Sequence, residues 1–589
     1  MISKTDIKHF FDFEAETARR EWELKMGLSV KERIRKRQTI QAVYLNSDYQ
    51  EKSSEPNHIS IKVSISENLS DFKEGDPILL HKEDSLSGIK CTLNSFDGDS
   101  DIILDIYRDK ESELSSYYNM PLLLDKDYVD LRETVFNKFI AQLPDEAKAW
   151  NKNIFNTMKA PQFKDKENCE EELEDTIKNF ELKLEDKQRE AIINCMSAED
   201  YYLVQGPPGT GKSFVLSIII LEELLYFKHK VVVIGPNHKA INNTLEAVVK
   251  IIPFYAGRIV KIGQKYNAAT YKMEYNGDEV GIVNDTKVGN LSYGDESLND
   301  CNGPVLIGLT PHSLYSSRGS DLKFDTLIID EAGQISIPLA LMGMIKAKKT
   351  ILAGDSKQLS PIIVSKDITG EMSKSAFQQL MSDSNCTMLN VSFRMCKVIC
   401  DYVSDLFYAG KISSKEKGDK EILKCSDPQY SFDTPIVIKN IADNGEQTSD
   451  KEASFITELI ETYLNNYRLN PKDIAVLTPF RAQAANIRKK LNKIESLDKT
   501  QLQHVTVDTI DRMQGQERKV IILSMTSGNP DYISDMAEFL YNPNKLNVAF
   551  SRAMHKLIIV GNIEQIRKVS TRDYPHILKM IESNFVKHL

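Results

Sequence analysis

Gly206, Pro207, Pro208, Gly209, Thr210, Gly211, Lys212 and Ser213 match the pattern GxxxxGK[ST] in full. Residue types in this order suit one kind of chemistry. Glycines let successive backbone N–H groups turn into one concavity around phosphate oxygens, and a helix beginning at the lysine adds the positive end of its dipole. Lys212 has the reach for the β- and γ-phosphates of a nucleotide, and the Ser213 hydroxyl suits Mg²⁺. The context agrees, because the loop follows the apolar run YYLVQ and precedes the helical pattern SFVLSIIILEELL. Further along, Asp330 and Glu331 close the apolar run TLIID. A carboxylate ending a strand beside a phosphate loop can hold Mg²⁺, and its neighbour can accept a proton from attacking water. Without the loop, the two acids would read as surface charge at a strand end.

Strands must present these groups, and the pattern after Leu182 supplies them. YYLVQ, KVVVIG, TLIID and TILAG are short, apolar and rich in β-branched residues, and each leads into a loop and usually a helical pattern. A second set follows, IAVLTP, HVTVDTI, KVIILSM and KLIIVG. The fold class expected is therefore α/β, with two tandem domains of parallel sheet and flanking helices at 181–385 and 386–589. A polar stretch at 264–303 reads as an insertion or mobile loop in the first. Upstream, 1–56 is a helical segment whose basic run KERIRKR, at 31–37, reads as solvated surface. From 57 to 110 the period changes to two, as in a small antiparallel barrel. The stretch 111–180 then carries helices and the acidic KDKENCEEELED, which reads as an exposed connection.

Composition narrows the function classes. Among 589 residues, 75 are basic and 85 acidic, a formal net charge of −10. Such a chain does not coat nucleic acid or anionic membrane through bulk charge, although a confined basic groove stays open to it. No apolar run approaches the roughly 20 residues of a membrane span; the stretch from Val215 to Leu225 is broken by Ser217, Glu222 and Glu223. The opening MISKTDIKHFFDFEAE lacks the apolar stretch and cleavage site of a secretion signal. Eight scattered cysteines without a CxxC pair make no disulfide framework, and Cys396 and Cys400 read as core thiols. A cytoplasmic, reduced setting is expected.

The loop and the acidic pair by themselves specify only a P-loop ATPase. More follows in order: DEAGQ at 330–334, GDSKQLSP at 354–361, SFRM at 392–395, LTPFRAQ at 477–483, TIDRMQGQE at 509–517 and LNVAFSRA at 546–553. This series resembles the superfamily 1B helicases, in the group of the nonsense-mediated decay helicase, Senataxin and the immunoglobulin-mu-binding helicase. The resemblance covers roughly residues 180–565, and extends more weakly to the barrel as a 1B domain on a helical stalk. It implies two RecA-like domains with ATP and Mg²⁺ between them, the metal held by Ser213 and Asp330. It further implies that Gln188 reads the adenine edge, Phe393 stacks on the base and Glu517 binds the ribose. Arg394 and Arg552 match arginine fingers, and Gln358 matches the γ-phosphate sensor. Lys212, Glu331, Gln358, Arg394 and Arg552 form the catalytic set. Pro236, Asn237, Thr310, Thr478, Pro479 and Thr509 match the track of a single nucleic-acid strand, where hydroxyl, amide and backbone groups contact phosphates without reading sequence.

There are departures from the family pattern. The element at 392–397 reads SFRMCK, without a leading glutamine or a following His-Pro, and GDSKQLSP carries Ser356 and Ser360 where His and Pro are frequent. The activity expected is that of an ATP-driven helicase or translocase on single-stranded DNA or RNA, moving 5′→3′, the polarity the resemblance implies. The alternative is an ATP-gated nucleic-acid clamp or remodelling switch acting with a partner protein. A nucleotide-sensing regulator is a third class, distinguished by ATPase rates indifferent to added nucleic acid.

Overall fold

The structure, a computed structural model, describes residues 2–36, 38–53, 57–65, 70, 72–83, 87–97, 100–143, 161–264, 267–285, 292–293, 296–297, 303–415, 434–466, 469–497, 499–513, 515–569 and 574–589. Helix α1, Lys4–Met26, starts on a capping box in which the Ser3 side chain accepts from the Asp6 N–H and the Asp6 carboxylate accepts from the Ser3 N–H. A short helix α2, Val30–Arg35, follows.

Strands β1 (Thr39–Lys52), β2 (His58–Ser64), β3 (Pro77–His81), β4 (Gly88–Asp97), β5 (Asp101–Tyr107) and β6 (Leu122–Lys126) close an antiparallel barrel in the order β1-β2-β5-β4-β3-β6. Alternation turns Ile59, Ile61 and Val63 of β2 into the barrel core with Leu93, Leu104 and Leu124. The barrel is wider than the 57–110 expected from period alone. Its closing strands β1 and β6 lie on either side of that window, with β1 pairing β6 through Thr39–Val43 and β2 through Tyr44–Lys52.

The basic run at 31–37 is not simply solvated surface. Arg33 is buried and lies 3.4 Å from Asp125 of β6, which also bonds His81 Nε2 at 2.7 Å. Trp22 of α1 donates to the Lys126 carbonyl at 3.0 Å, while Phe10 and Phe11 of the same helix join the core of the first large sheet. One helix thus seats the barrel on the α/β body. The acidic stretch also differs from expectation. It forms α3, Lys166–Asn179, whose Cys169 and Leu173 face the core and whose acids point outward, as an amphipathic stripe requires.

The α/β body comprises α4 (Asp186–Ser197), β7 (Tyr201–Gln205), α5 (Lys212–Leu225), β8 (Lys230–Ile234), α6 (His238–Ile251), β9 (Ile259–Ile262), β10 (Val283–Asp285), β11 (Val305–Gly308), β12 (Thr326–Ile329), β13 (Lys349–Gly354) and β14 (Cys386–Met388). Its eight strands are all parallel, in the order β10-β9-β11-β8-β12-β13-β7-β14. Apolar clusters cover both faces, which explains strands that are continuously apolar rather than alternating. Two expectations shift. Part of the polar stretch at 264–303 is built into the sheet as edge strand β10, and β14 crosses the break expected after 385 to pair with β7.

A second parallel sheet follows α7 (Lys397–Phe407). Strands β15 (Ile436–Asn440), β16 (Ile474–Thr478), β17 (Thr506–Thr509), β18 (Arg518–Ser524), β19 (Ala553–Gly561) and β20 (Lys587–His588) take the order β17-β16-β18-β19-β15-β20. Helices α8 (Asp450–Asn465), α9 (Arg481–Leu491) and α10 (Pro543–Phe550) belong to this unit. Cys396 and Cys400 are buried in its core. Among the described residues no helix is long and apolar enough to cross a membrane.

Candidate functional site

The phosphate-type loop runs from the end of β7 into α5, as its sequence required. Gly209 and Gly211 have φ of +74° and +80°, the left-handed region that L side chains rarely adopt. Space is as demanding as conformation. A Cβ on Gly209 would lie 2.5 Å from the Arg394 Cβ, and one on Gly211 would lie 2.8 Å from Gln188 Nε2. The loop is therefore a backbone surface against which two other motifs pack directly.

Lys212 points to the ends of neighbouring strands. Its Nζ lies 2.7 Å from Asp330 and 2.6 Å from Glu331, which follow β12. Burial alone would pull this ammonium down, but the two carboxylates outweigh burial and hold it above the ordinary lysine range. Asp330 also accepts from Thr244 of α6 at 2.7 Å, and Gln334 donates to Glu331 at 3.0 Å. Glu331 sits at φ 53°, a strained setting for a residue with a side chain, held by the turn that starts beside it.

The second unit reaches this loop through 392–394. The Phe393 N–H donates to the Gly209 carbonyl at 2.8 Å, and Ser392 Oγ donates to the Pro208 carbonyl at 3.0 Å. The Phe393 ring itself is 43% exposed, so it is not a core residue and has a face to offer a planar base. Arg394 bonds Glu517 through Nε at 2.5 Å and the Ser551 carbonyl at 3.2 Å. Arg552 is buried and gives Gln358 Oε1 a hydrogen bond of 3.2 Å. Desolvation, with Arg394 close by, pulls the Arg552 guanidinium down to about 9. Gln188 spends its amide on protein: Oε1 accepts from the Glu185 N–H and Nε2 donates to the Thr210 carbonyl at 3.0 Å. In this arrangement it braces the loop and caps α4.

One network escaped the sequence reading. Gln358 Nε2 donates to Asp355 Oδ2 at 2.8 Å, and the Tyr408 hydroxyl, from the other unit, donates to the same oxygen. Asn547 of α10 donates to the Tyr408 oxygen at 2.7 Å and to the Lys357 carbonyl at 2.7 Å. Burial pushes the Asp355 carboxyl up against the pull of these donors, and pushes the Tyr408 phenol far above its usual value. Asp355 and Asn547 lay inside quoted motifs, whereas Tyr408, in LFYAG, carries no signal that separates it from a core aromatic.

The residues expected on the nucleic-acid track group at strand ends but are not equally presented. Pro236 and Asn237 are exposed after β8, with Asn237 Oδ1 capping α6 by accepting the Ala240 N–H at 2.9 Å. Thr310, two residues past β11, is half-buried against Ser313. Thr478 and Thr509 are register partners at the ends of β16 and β17. Both side chains are buried, however, and the Thr478 hydroxyl turns inward to Thr526 at 2.9 Å. At that edge the groups offered to solvent are half-buried Pro479 and exposed Arg481 and Arg512.

The donor set fits a magnesium nucleotide: a glycine cradle, a lysine, a serine hydroxyl and a carboxylate. Family comparison agrees with the geometry. Two family profiles, each described as an AAA domain, match this chain, one at residues 183–281 and 305–366 and the other at 372–564. The chain is 27% identical over 430 residues to the mouse DNA replication ATP-dependent helicase/nuclease DNA2, covering 67% of this chain and 38% of that protein. It is 29% identical over 428 residues to Regulator of nonsense transcripts 1 of Dictyostelium discoideum, covering 66% and 32%. Against the ATP-dependent helicase NAM7 of Saccharomyces cerevisiae, identity is 28% over 424 residues, covering 66% and 42%. The chain belongs to the DNA2/NAM7-like superfamily 1 helicases. The loop and the acidic pair lie within the stretch matched by the first profile, and Arg394 and Arg552 within that matched by the second. The alignments span about a third of the length of the first two of these relatives.

Proposed function

We propose that this helicase hydrolyses ATP between two RecA-like domains and uses the cycle to move 5′→3′ along single-stranded DNA or RNA, unwinding duplex that it meets. The observation that carries the reading is the seam between units. Gly209 accepts a hydrogen bond from Phe393, and Gln358 accepts one from Arg552, so both sides of the seam bear on the nucleotide loop. On this reading the first sheet, near 181–385, and the second, near 386–589, are the two RecA-like domains. The barrel and its helices form a 1B-like domain on a stalk.

Each residue is then assigned a role. Arriving phosphates draw Lys212 away from Asp330 and Glu331, freeing Glu331 to take the proton of the attacking water. Ser213 and Asp330 would hold Mg²⁺, which supplies positive charge to the phosphate oxygens. Arg394 exchanges Glu517 for the γ-phosphate, and Arg552 delivers the second guanidinium. Phe393 stacks on the adenine, Glu517 turns to the ribose, and Gln188 reads the adenine edge with the amide capacity left to it. Gln358, held between Asp355 and Arg552, senses the γ-phosphate. The strand crosses Pro236, Asn237, Thr310, Thr478, Pro479 and Thr509, with backbone groups contacting phosphate where the threonine hydroxyls are buried.

The test is strand displacement with tailed duplexes, run beside ATPase assays containing single-stranded DNA or RNA of one sequence. Displacement from 5′ tails and stimulation by single strands are expected. Displacement only from 3′ tails overturns the polarity, and turnover indifferent to either strand overturns the function.

A further inference from the structure

The segment after β13 carries Gln358 to the seam, and from Asp355 to Thr369 it contains no helix or strand. Its place is therefore set by individual ties rather than by a backbone ladder. The first part is tied to the second unit. The Lys357 carbonyl accepts from Asn547 at 2.7 Å, the Ser360 hydroxyl lies 3.5 Å from the Asn544 amide, and Leu359 packs on the second unit's core.

The last part is tied to α1, some 350 positions away in the chain. The Ser365 N–H donates to Glu14 Oε1 at 2.7 Å, and the Val364 N–H donates to Glu14 Oε2 at 3.1 Å. One carboxylate thus accepts from two successive backbone donors, a charge-assisted and directional contact. Packing alone holds this stretch less firmly. Ile363 rests on the core of the first sheet, but Ile362 is 93% exposed. Val364 borders a cavity of about 220 Å³ between α1 and the barrel, alongside Ala18, Trp22 and Arg33.

Glu14 itself stands on a fixed base. It follows Phe10 by four residues and Phe11 by three, so it shares the helical face that those rings bury in one core with Leu352 of β13. Phe11 also stacks on Phe136, with ring centroids 3.9 Å apart. Elsewhere on α1 the Ala15 carbonyl accepts from the Tyr128 hydroxyl at 3.0 Å, just past β6 of the barrel. Glu14 is where the barrel-bearing helix grips the segment of Gln358.

We propose that Glu14 is a positioning residue for ATP hydrolysis: it fixes the backbone of Val364 and Ser365, keeps Gln358 in place, and so makes turnover depend on how α1 and the barrel are seated. The inference rests on the sensor role given to Gln358 under the proposed function. Gln358 and Val364 are six positions apart, a span of at most about 20 Å of extended chain. With both ends of so short a tether held, movement of the second unit does not carry Gln358 away from Asp355 and Arg552. With Val364 and Ser365 released, the segment follows the second unit.

Glu14→Ala removes both acceptors at a half-buried helix position, where alanine is well tolerated. Steady-state ATPase is measured on the full chain with Mg²⁺ and a single-stranded oligonucleotide present. The kcat is expected to fall by about tenfold, as for a displaced catalytic group, while KM for ATP stays within about twofold of wild type. Glu14→Gln keeps one acceptor oxygen and should lie between the two. Gln358→Ala should also lower kcat. Adding Glu14→Ala to Gln358→Ala should lower it by less than about twofold more, because both changes remove the same placement.

Wild-type kcat in Glu14→Ala, beside a lowered kcat in Gln358→Ala, overturns the inference and leaves the proposed function standing. Full additivity in the double variant overturns it too, since Glu14 then acts through some other group. So does a loss of kcat that disappears when the assay is cooled further below the variant's unfolding midpoint; that pattern marks a residue that only stabilises the fold. Wild-type kcat in Gln358→Ala overturns the sensor role and this inference together.

Discussion

At the scale of single residues, the proposed function divides binding and chemistry between Lys212 and Glu331, and substitution should separate them. Lys212→Ala removes the group proposed to reach the phosphates and leaves Asp330 and Glu331 without the cation they share. Nucleotide binding and turnover are expected to disappear together in equilibrium binding and steady-state assays. Glu331→Gln keeps size and the hydrogen bond to Lys212 but cannot accept a proton. ATP binding should persist while hydrolysis falls by about 10²–10⁴-fold in single-turnover experiments, the usual worth of a general base. Wild-type rates in Glu331→Gln would remove it from that role. The types and spacing of these residues were fully legible in the sequence, because a phosphate loop is a local backbone device. Its partners were not. That Arg394 packs its Cβ against Gly209, 185 positions earlier in the chain, is a fact of tertiary contact alone.

At the scale of elements, the Asp355–Tyr408–Asn547 network joins the end of β13 to α10 and to Tyr408 just past α7. Tyr408→Phe deletes one hydroxyl and leaves the buried Asp355 carboxyl short of a donor, at a cost of about 1–3 kcal/mol. A lowered unfolding midpoint is expected, together with a fall in kcat larger than any change in KM for ATP, because Gln358 shares the same carboxylate. A midpoint shift with kcat intact would confine Tyr408 to stability. Gly209→Ala tests the seam differently. The added methyl meets Arg394 and demands a strained backbone, so the second unit must move off the loop and turnover should collapse. Four of the eight strands in the first sheet and four of the six in the second followed from apolar runs with β-branched residues, whereas β9, β10, β11, β14, β15 and β20 were not read. Strand order did not, because which runs become neighbours depends on crossovers that local pattern leaves open.

Across the whole molecule, two buried acids set a pH dependence. Burial raises Glu222 in the first unit and Glu452 in the second to about 7, from ordinary values near 4.5. The folded chain therefore holds protons that the unfolded chain releases. Their stabilising contribution is full below about pH 4.5 and is lost as pH rises towards about 7. The unfolding midpoint of wild-type protein should drop across that window, and Glu452→Gln should flatten part of the drop; an unchanged slope in that variant would show that Glu452 is not its source. The barrel's seat offers a second test at this scale. Asp125→Ala strands Arg33 and His81 in a buried site, which should cost about 3–5 kcal/mol, read as early melting of the barrel and α1.

The sequence alone determined the nucleotide loop, the acidic pair, the family and the alternation of strands and helices. Apart from the family, which rests on the order of motifs over roughly residues 180–565, these are short-range patterns, in which neighbouring residues suffice to specify a turn, a cap or a buried run. Only the tertiary structure decided that β1 and β6 close the barrel outside its alternating window, and that an acidic stretch buries one helical face. It also decided that Thr478 turns inward and that Tyr408 spans the seam. Each of those depends on what a side chain meets from a distant part of the chain. Burial, and with it the cost or use of a charge or hydroxyl, is a property of the packed molecule and is not written at any single position.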